Sequence, residues 1–178
     1  GDVSAVRGML YRAQGAVHAT PARPFVQDLD TLPLPSWDRV DMAAYQRVGC
    51  VDHLSGRPWV VFYTSRGCPF SCKFCVESLP MGKKHRTHSA RRVIEELDGI
   101  LSNYEVEAIY FLDEGFLTNE ARVRELCEIM IRDGYNKRVK WSAQVRVDTL
   151  EQDLLKLMKE AGCIQLECGF ETASDRLL

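Results

Sequence analysis

Ser65-Arg66-Gly67-Cys68-Pro69-Phe70-Ser71-Cys72-Lys73-Phe74-Cys75 sets three cysteines at spacings of four and three residues within one short loop. Gly67 and Pro69 let such a loop wrap back on itself, so three thiolates can converge on one soft metal centre. A structural zinc wants a fourth ligand. His85 and His88 are on offer to complete Cys72-x2-Cys75, but the nine intervening residues and the two-residue histidine gap fit the usual finger spacing poorly. An iron–sulfur cluster with one iron left open accounts for three ligands without a fourth. Three free thiols beside a turn is the bland alternative, and nothing about packing asks for their spacing.

Outward from the loop, the pattern alternates strand with helix, the signature of a parallel α/β sheet. Trp59-Val-Val-Phe-Tyr-Thr64 is a compact apolar run that leads straight into the cysteines. Glu107 to Asp113, Lys140 to Arg146 and Ile164 to Glu171 supply three further strands. Val93, Leu97, Ile100, Leu101 and Tyr104 recur at helical intervals behind Ser89, a predicted N-cap, so a helix is expected through about Leu101. Val123, Leu126, Cys127, Met130 and Ile131 do the same behind Asn119, with Gly134 as the stop and Cys127 in the core. A third helix is expected with Thr149 as cap and Gln152 reaching back, its buried stripe being Leu150, Leu154, Leu157, Met158 and Ala161.

Side-chain parity on the last two strands carries information about the whole architecture. One side of Ile164 to Glu171 holds Ile164, Leu166, Cys168 and Phe170, and the other Gln165, Glu167, Gly169 and Glu171. Lys140 to Arg146 splits likewise, Trp141, Ala143 and Val145 against Ser142, Gln144 and Arg146. A parallel sheet covered by helices on both sides needs two apolar faces. One polar face therefore predicts an open barrel with a ligand-filled, partly wet interior; the competing reading is an exposed sheet face. Barrel chemistry sits where strands end and loops begin. Cys68 to Cys75, Asp113 with Glu114, Arg146 and Glu171 all fall at such ends, on one rim.

Composition bounds the function classes. The chain has 178 residues, 46% hydrophobic and 27% charged, which suits one ordinary folded domain and excludes disorder or a fibre. A net charge of -2 gives no broad attraction to nucleic acid or anionic lipid, so a small-molecule substrate is expected. No apolar stretch approaches the roughly 20 residues of a membrane span. Seven cysteines, odd in number and mostly scattered, favour a reducing compartment, the cytoplasm, over a disulfide framework. Gly1-Asp2-Val3-Ser4 shows no secretory signal and no initiator Met, which suggests a piece cut from a longer chain.

Cys68-x3-Cys72-x2-Cys75, with Phe74 before the third cysteine, resembles the cluster loop of the radical S-adenosylmethionine (SAM) enzymes. The wider string from Arg66 is similar to the branch that carries a cobalamin-binding domain ahead of the radical domain, which includes radical methyltransferases and the anaerobic magnesium-protoporphyrin ester cyclase. Echoes continue in Phe111-Leu112-Asp113-Glu114-Gly115-Phe116, in Trp141 to Asp148, and in Ala161-Gly162-Cys163 through Gly169-Phe170-Glu171-Thr172, over roughly two thirds of the chain. The resemblance implies a [4Fe-4S] cluster on Cys68, Cys72 and Cys75, with SAM chelating the remaining iron. It implies that Asp113 or Glu114 accepts from the SAM amino group, that Arg146 pairs with its carboxylate and that Glu171 holds the ribose hydroxyls, with Phe74 near the adenine. An ion pair of Arg146 with Asp148 is the competing assignment. Also implied are reductive cleavage of SAM to methionine and a 5′-deoxyadenosyl radical, and an external one-electron reductant such as flavodoxin or ferredoxin. Two other readings share the loop: a methylthiotransferase, which normally adds a second cluster from an amino-terminal three-cysteine domain, and a zinc- or cluster-bearing binding module without turnover.

The fold class expected is therefore α/β: the first four strands of a partial parallel (β/α) barrel over residues 59–178, preceded by an irregular linker over residues 1–58. A full barrel of this family has more strands, and the residues after Glu171 read as the start of another helix. In the linker, Val6 to Arg12 and Ala16 to Thr20 around Gln14-Gly15 predict a short hairpin. Thr31-Leu-Pro-Leu-Pro-Ser-Trp-Asp38 reads as an extended strap that docks Leu34 and Trp37 on the barrel. Asp52-His53-Leu54-Ser55-Gly56 is similar to the Asp-x-His-x-x-Gly loop that places a histidine on cobalt, but its Asp is one residue too close, so His53 is expected to be a loop histidine. Any cobalamin is expected through a domain absent from this chain.

Overall fold

Four parallel strands in chain order form the sheet that positions everything else: β3 (Trp59–Phe62), β6 (Ala108–Phe111), β7 (Lys140–Val145) and β8 (Cys163–Cys168). The computed structural model describes residues 2–47, 56–76, 78–174 and 176. Cys50 and His53 lie outside them, as do Asp175, Leu177 and Leu178. The remaining elements are the hairpin β1 (Leu10–Ala13) and β2 (Ala16–Ala19), α1 (Met42–Arg47), the small ladder β4 (Ser65–Arg66) with β5 (Arg86–Thr87), and the helices α2 (Ser78–Met81), α3 (Ala90–Asn103), α4 (Glu120–Arg132), α5 (Tyr135–Arg138) and α6 (Gln152–Glu160). No helix among the described residues is long and apolar enough to cross a membrane.

Strand order equal to chain order is the barrel pattern, because every crossover helix then lands on the same side. The core agrees. Val60 and Phe62 of β3, Ile109 and Phe111 of β6, and Trp141, Ala143 and Val145 of β7 are buried against Val93, Leu97 and Ile100 of α3, Leu126 and Met130 of α4, and Leu154 and Met158 of α6. Phe111 sits at the centre, edge-on to Trp141 at 5.4 Å and stacked on Phe116 at 5.0 Å. Among the described residues the opposite face carries no long helix: Trp59, Val61, Tyr110 and Leu112 form a small apolar patch on β3, β6 and the residue after β6. Ser142, Gln144, Gln165 and Glu167 share that face on β7 and β8 by register. It is the inward, partly polar face that strand parity predicts.

Helix starts follow the expected chemistry in two cases of three. The Ser89 side chain accepts from the Arg92 N–H, and Asn119 from Arg122. Replacing Ser89 by Ala is expected to cost about 1 kcal/mol in a denaturant titration, since one N-terminal donor of α3 loses its acceptor. Thr149 is not the cap of α6. Its hydroxyl donates to the Arg146 carbonyl at 2.7 Å inside a 3-10 turn over Val147–Thr149, and the helix begins behind Glu151 without a side-chain cap. Ile164 is also misassigned by simple alternation. A bulge opposite Trp141 and Ser142 turns it out, 46% exposed, and seats Cys163 on the core side instead.

The linker is knitted to the barrel, although not quite as an extended strap. Two 3-10 turns, Leu29–Thr31 and Trp37–Arg39, interrupt it. Leu29 is fully buried and Trp37 packs on Phe62 while its indole N–H donates to Glu96; Leu34 is only partly covered, 36% exposed. Asp30 accepts from the Ser89 N–H, and Arg86 donates to the Val26 carbonyl. The hairpin turns at Gln14 and Gly15, both at positive φ, but pairs only from Leu10 rather than Val6. Residues 169–174 are irregular, not helical.

Candidate functional site

The cysteine loop leaves the carboxyl end of β3 and is fixed at its base by the β4–β5 ladder, in which Ser65 faces Thr87 and Arg66 faces Arg86. Gly67 then turns the chain at φ +85°, where a Cβ comes within 2.5 Å of the Lys84 carbonyl oxygen and 2.8 Å of that of Gly82. Backbone cannot yield there as a side-chain tip can. Gly67→Ala is therefore expected to lose more than about 1 kcal/mol of stability and to lower iron uptake together, read by thermal melting and metal analysis. Beyond the turn, the Cys68 N–H donates to the Gly82 carbonyl at 3.2 Å and the Cys75 N–H to the Cys72 carbonyl at 3.2 Å. Cys68 and Cys72 are half-buried and Cys75 is exposed, all three as free thiols.

Asp113, expected as an acceptor for the SAM amino group, has another occupation. It is fully buried and accepts four hydrogen bonds: from the N–H and hydroxyl of Thr64 at 2.8 and 2.6 Å, and from those of Ser65 at 2.6 and 2.8 Å. Arg122 of α4, 5% exposed, closes the network by donating to the Thr64 hydroxyl at 2.8 Å. Burial pulls its guanidinium below the ordinary value and Asp113 works against that pull. Together these groups tie the root of the cysteine loop to the end of β6 and the start of α4. Thr64, Ser65 and Arg122 were not singled out by sequence. The adjacent hydroxyls directly before the loop were the available signal, and Arg122 resembles any other charge on an amphipathic helix.

The other rim residues group around the loop to different degrees. The Glu114 carbonyl oxygen lies 4.0 Å from Cys68 Sγ, and the Glu114 side chain is half-buried. Arg146 leaves β7 directly beside the loop: Nε and Nη2 donate to the two Asp148 carboxylate oxygens at 3.0 and 2.6 Å, and Nη1 donates to Cys72 Sγ at 3.5 Å. Its guanidinium lies 3.9 Å over the Phe70 ring. The expected Asp148 pair thus exists and both arms of the guanidinium are engaged. Glu171, at φ +55°, is exposed and its carboxylate folds back over Gly169. Phe74 is 65% exposed on the loop surface. Below the rim, the Tyr110 hydroxyl donates to Glu167 at 2.7 Å across the inner face.

Among the described residues no three His, Cys, Asp or Glu side chains gather closely enough to hold a single metal ion. A polynuclear cluster takes each thiolate on a different iron, so it asks for a shared mouth rather than one contact point. The loop offers three free thiols, two half-buried and one exposed, and the Cys72 sulfur faces a guanidinium. Burial pushes the Cys127 and Cys163 thiols up to about 12, which keeps both as protonated core groups at neutral pH.

The family model of the radical SAM superfamily matches residues 62–178, from the end of β3 through the cysteine loop and every later strand. The chain belongs to the radical SAM superfamily. An uncharacterised methyltransferase of Pyrococcus horikoshii is 38% identical over 99% of this chain and 37% of its own length. The anaerobic magnesium-protoporphyrin IX monomethyl ester cyclase of Cereibacter sphaeroides is 27% identical over 95% of this chain and 27% of its own. This radical SAM chain thus spans about a third of the length of the curated relatives it matches. Among solved structures, the radical SAM methyltransferase TsrM of Kitasatospora setae, solved with tryptophan substrate and a SAM analogue, superposes with a TM-score of 0.77 at 17% identity, over 99% of this chain and 34% of that one. The cobalamin-dependent SAM radical enzyme OxsB superposes at 0.73, with 24% identity, over 99% and 26%. These likenesses place the four-strand sheet and its linker in the radical SAM fold.

Proposed function

We propose that Cys68, Cys72 and Cys75 hold a [4Fe-4S] cluster, and that the protein containing this chain uses it with SAM for cobalamin-associated radical methylation or cyclisation of a small molecule. The observation that carries the reading is the loop itself: three free thiols at the carboxyl end of the first barrel strand, anchored from below by Asp113 and flanked by Arg146. A cluster held by Cys68, Cys72 and Cys75 would supply the single electron needed for reductive cleavage of SAM. The chain's own residues orient and shelter. Glu114, whose carbonyl lies beside Cys68, is assigned to the SAM amino group in preference to Asp113, which is fully buried and already accepts four hydrogen bonds from Thr64 and Ser65. Glu171 is assigned to the ribose hydroxyls, and the exposed ring of Phe74 to the adenine. Arg146 is left with Asp148 and the loop. The inner face is apolar on the Trp59, Val61 and Leu112 side and polar on the Gln165 and Glu167 side.

Methylation or cyclisation is favoured by the relatives named above, and cobalamin by the solved neighbours that carry it. The electron comes from an external one-electron donor such as flavodoxin or ferredoxin, in a reducing compartment suited to six free thiols among the described residues. Anaerobic reconstitution of the full-length protein with iron and sulfide, followed by SAM and reductant, tests the reading. About four irons per chain with 5′-deoxyadenosine formation is expected. One zinc per chain and no 5′-deoxyadenosine overturns it in favour of a metal-stabilised binding module.

A further inference from the structure

We infer that Arg146 is a positioning residue for the thiolate of Cys72, whose N–H···S bond raises the reduction potential of the cluster; the inference rests on the proposed role of the three cysteines. Three observations converge on one guanidinium. Nη1 stands 3.5 Å from Cys72 Sγ, a hydrogen-bond distance for sulfur. The guanidinium carbon lies 3.9 Å from the ring centroid of Phe70, a residue of the loop between Cys68 and Cys72. Its remaining arm is fixed by two bonds to Asp148, only two residues away in the chain. A guanidinium so clamped presents its donor to the sulfur without further ordering, and its side chain is only partly exposed.

The electrostatic consequence has a definite sign. A cluster on thiolates is anionic and gains one more negative charge when an external donor reduces it. A cation and an N–H donor on a ligand sulfur stabilise the reduced form more than the oxidised form, so they shift the potential upward. Asp148 opposes this, because its carboxylate neutralises part of the Arg146 charge. The two residues therefore act in opposite directions on the same quantity. Loop packing alone predicts no such opposition.

The test is a redox titration of the reconstituted full-length protein, followed by electron paramagnetic resonance, with iron content measured on the same samples. Arg146→Gln is expected to keep about four irons per chain and to lower the equilibrium constant for one-electron reduction about tenfold, a shift of about 59 mV to more negative potential. Arg146→Lys, which keeps charge but loses the forked donors that reach Asp148 and Cys72 together, is expected to fall between Gln and wild type. Asp148→Asn is expected to shift the midpoint the other way. An unchanged midpoint in Arg146→Gln at full iron content overturns the inference while leaving the cluster assignment standing. If Arg146→Gln fails to hold iron, Asp148→Asn decides, and a midpoint that does not move to more positive potential overturns the inference. Absence of iron from the wild-type protein is a different failure, that of the cluster assignment itself.

Discussion

Cys72→Ala is expected to drop the iron content of the anaerobically reconstituted full-length protein from about four per chain to below one, and 5′-deoxyadenosine to background. The central thiol of the loop is the ligand that cannot be replaced from nearby, because the group facing it is the Arg146 guanidinium, which has no lone pair to offer a metal. The fold itself tolerates the change, since Cys72 lies on a loop and outside the apolar core. Cys163→Ala is the matched control. That thiol sits on the core side of β8 and burial holds it protonated, so its removal leaves iron at the wild-type level. Iron content unchanged in Cys72→Ala contradicts the assignment of all three cysteines.

Asp113→Ala carries the largest expected loss of stability, about 3–5 kcal/mol. Four donors lose their acceptor at once, two of them backbone N–H groups of fully buried residues. Arg122 also keeps its buried charge while losing the carboxylate that offsets it. For a chain of this length each kcal/mol lowers the melting temperature by roughly 2–4 °C, so the variant is expected to melt well below wild type. Asp113→Asn retains one carbonyl acceptor and is expected to lose less. Equal melting temperatures for wild type and Asp113→Ala contradict the anchoring role and return Asp113 to the list of candidate SAM contacts.

How far the sequence reveals this arrangement depends on the range of the interaction concerned. Strands β3, β6, β7 and β8 and the caps at Ser89 and Asn119 were legible because period and capping are local properties. Thr149 misled because its hydroxyl is equally suited to a box with Gln152 and to the 3-10 turn that claims it for the Arg146 carbonyl. Ile164 misled because a single inserted residue reverses parity, and composition does not announce a bulge. At the site, the cysteine spacing was readable in full. The division of labour between Asp113 and Glu114 was not: they are adjacent carboxylates, and the partners that claim Asp113 stand 48 and 49 residues earlier. Arg146 was legible as a rim residue and its pair with Asp148 as a local ion pair two residues away, whereas its contact with Cys72 was not, since it spans 74 residues of chain.

The central claim is that the three-cysteine loop holds a cluster with one iron open to SAM at the mouth of the barrel. Electron paramagnetic resonance of the reduced, reconstituted full-length protein, recorded before and after addition of SAM, tests it most directly. A reduced [4Fe-4S] spectrum that changes shape on addition of SAM is the predicted result. A spectrum that SAM leaves superimposable, at full iron loading, contradicts it.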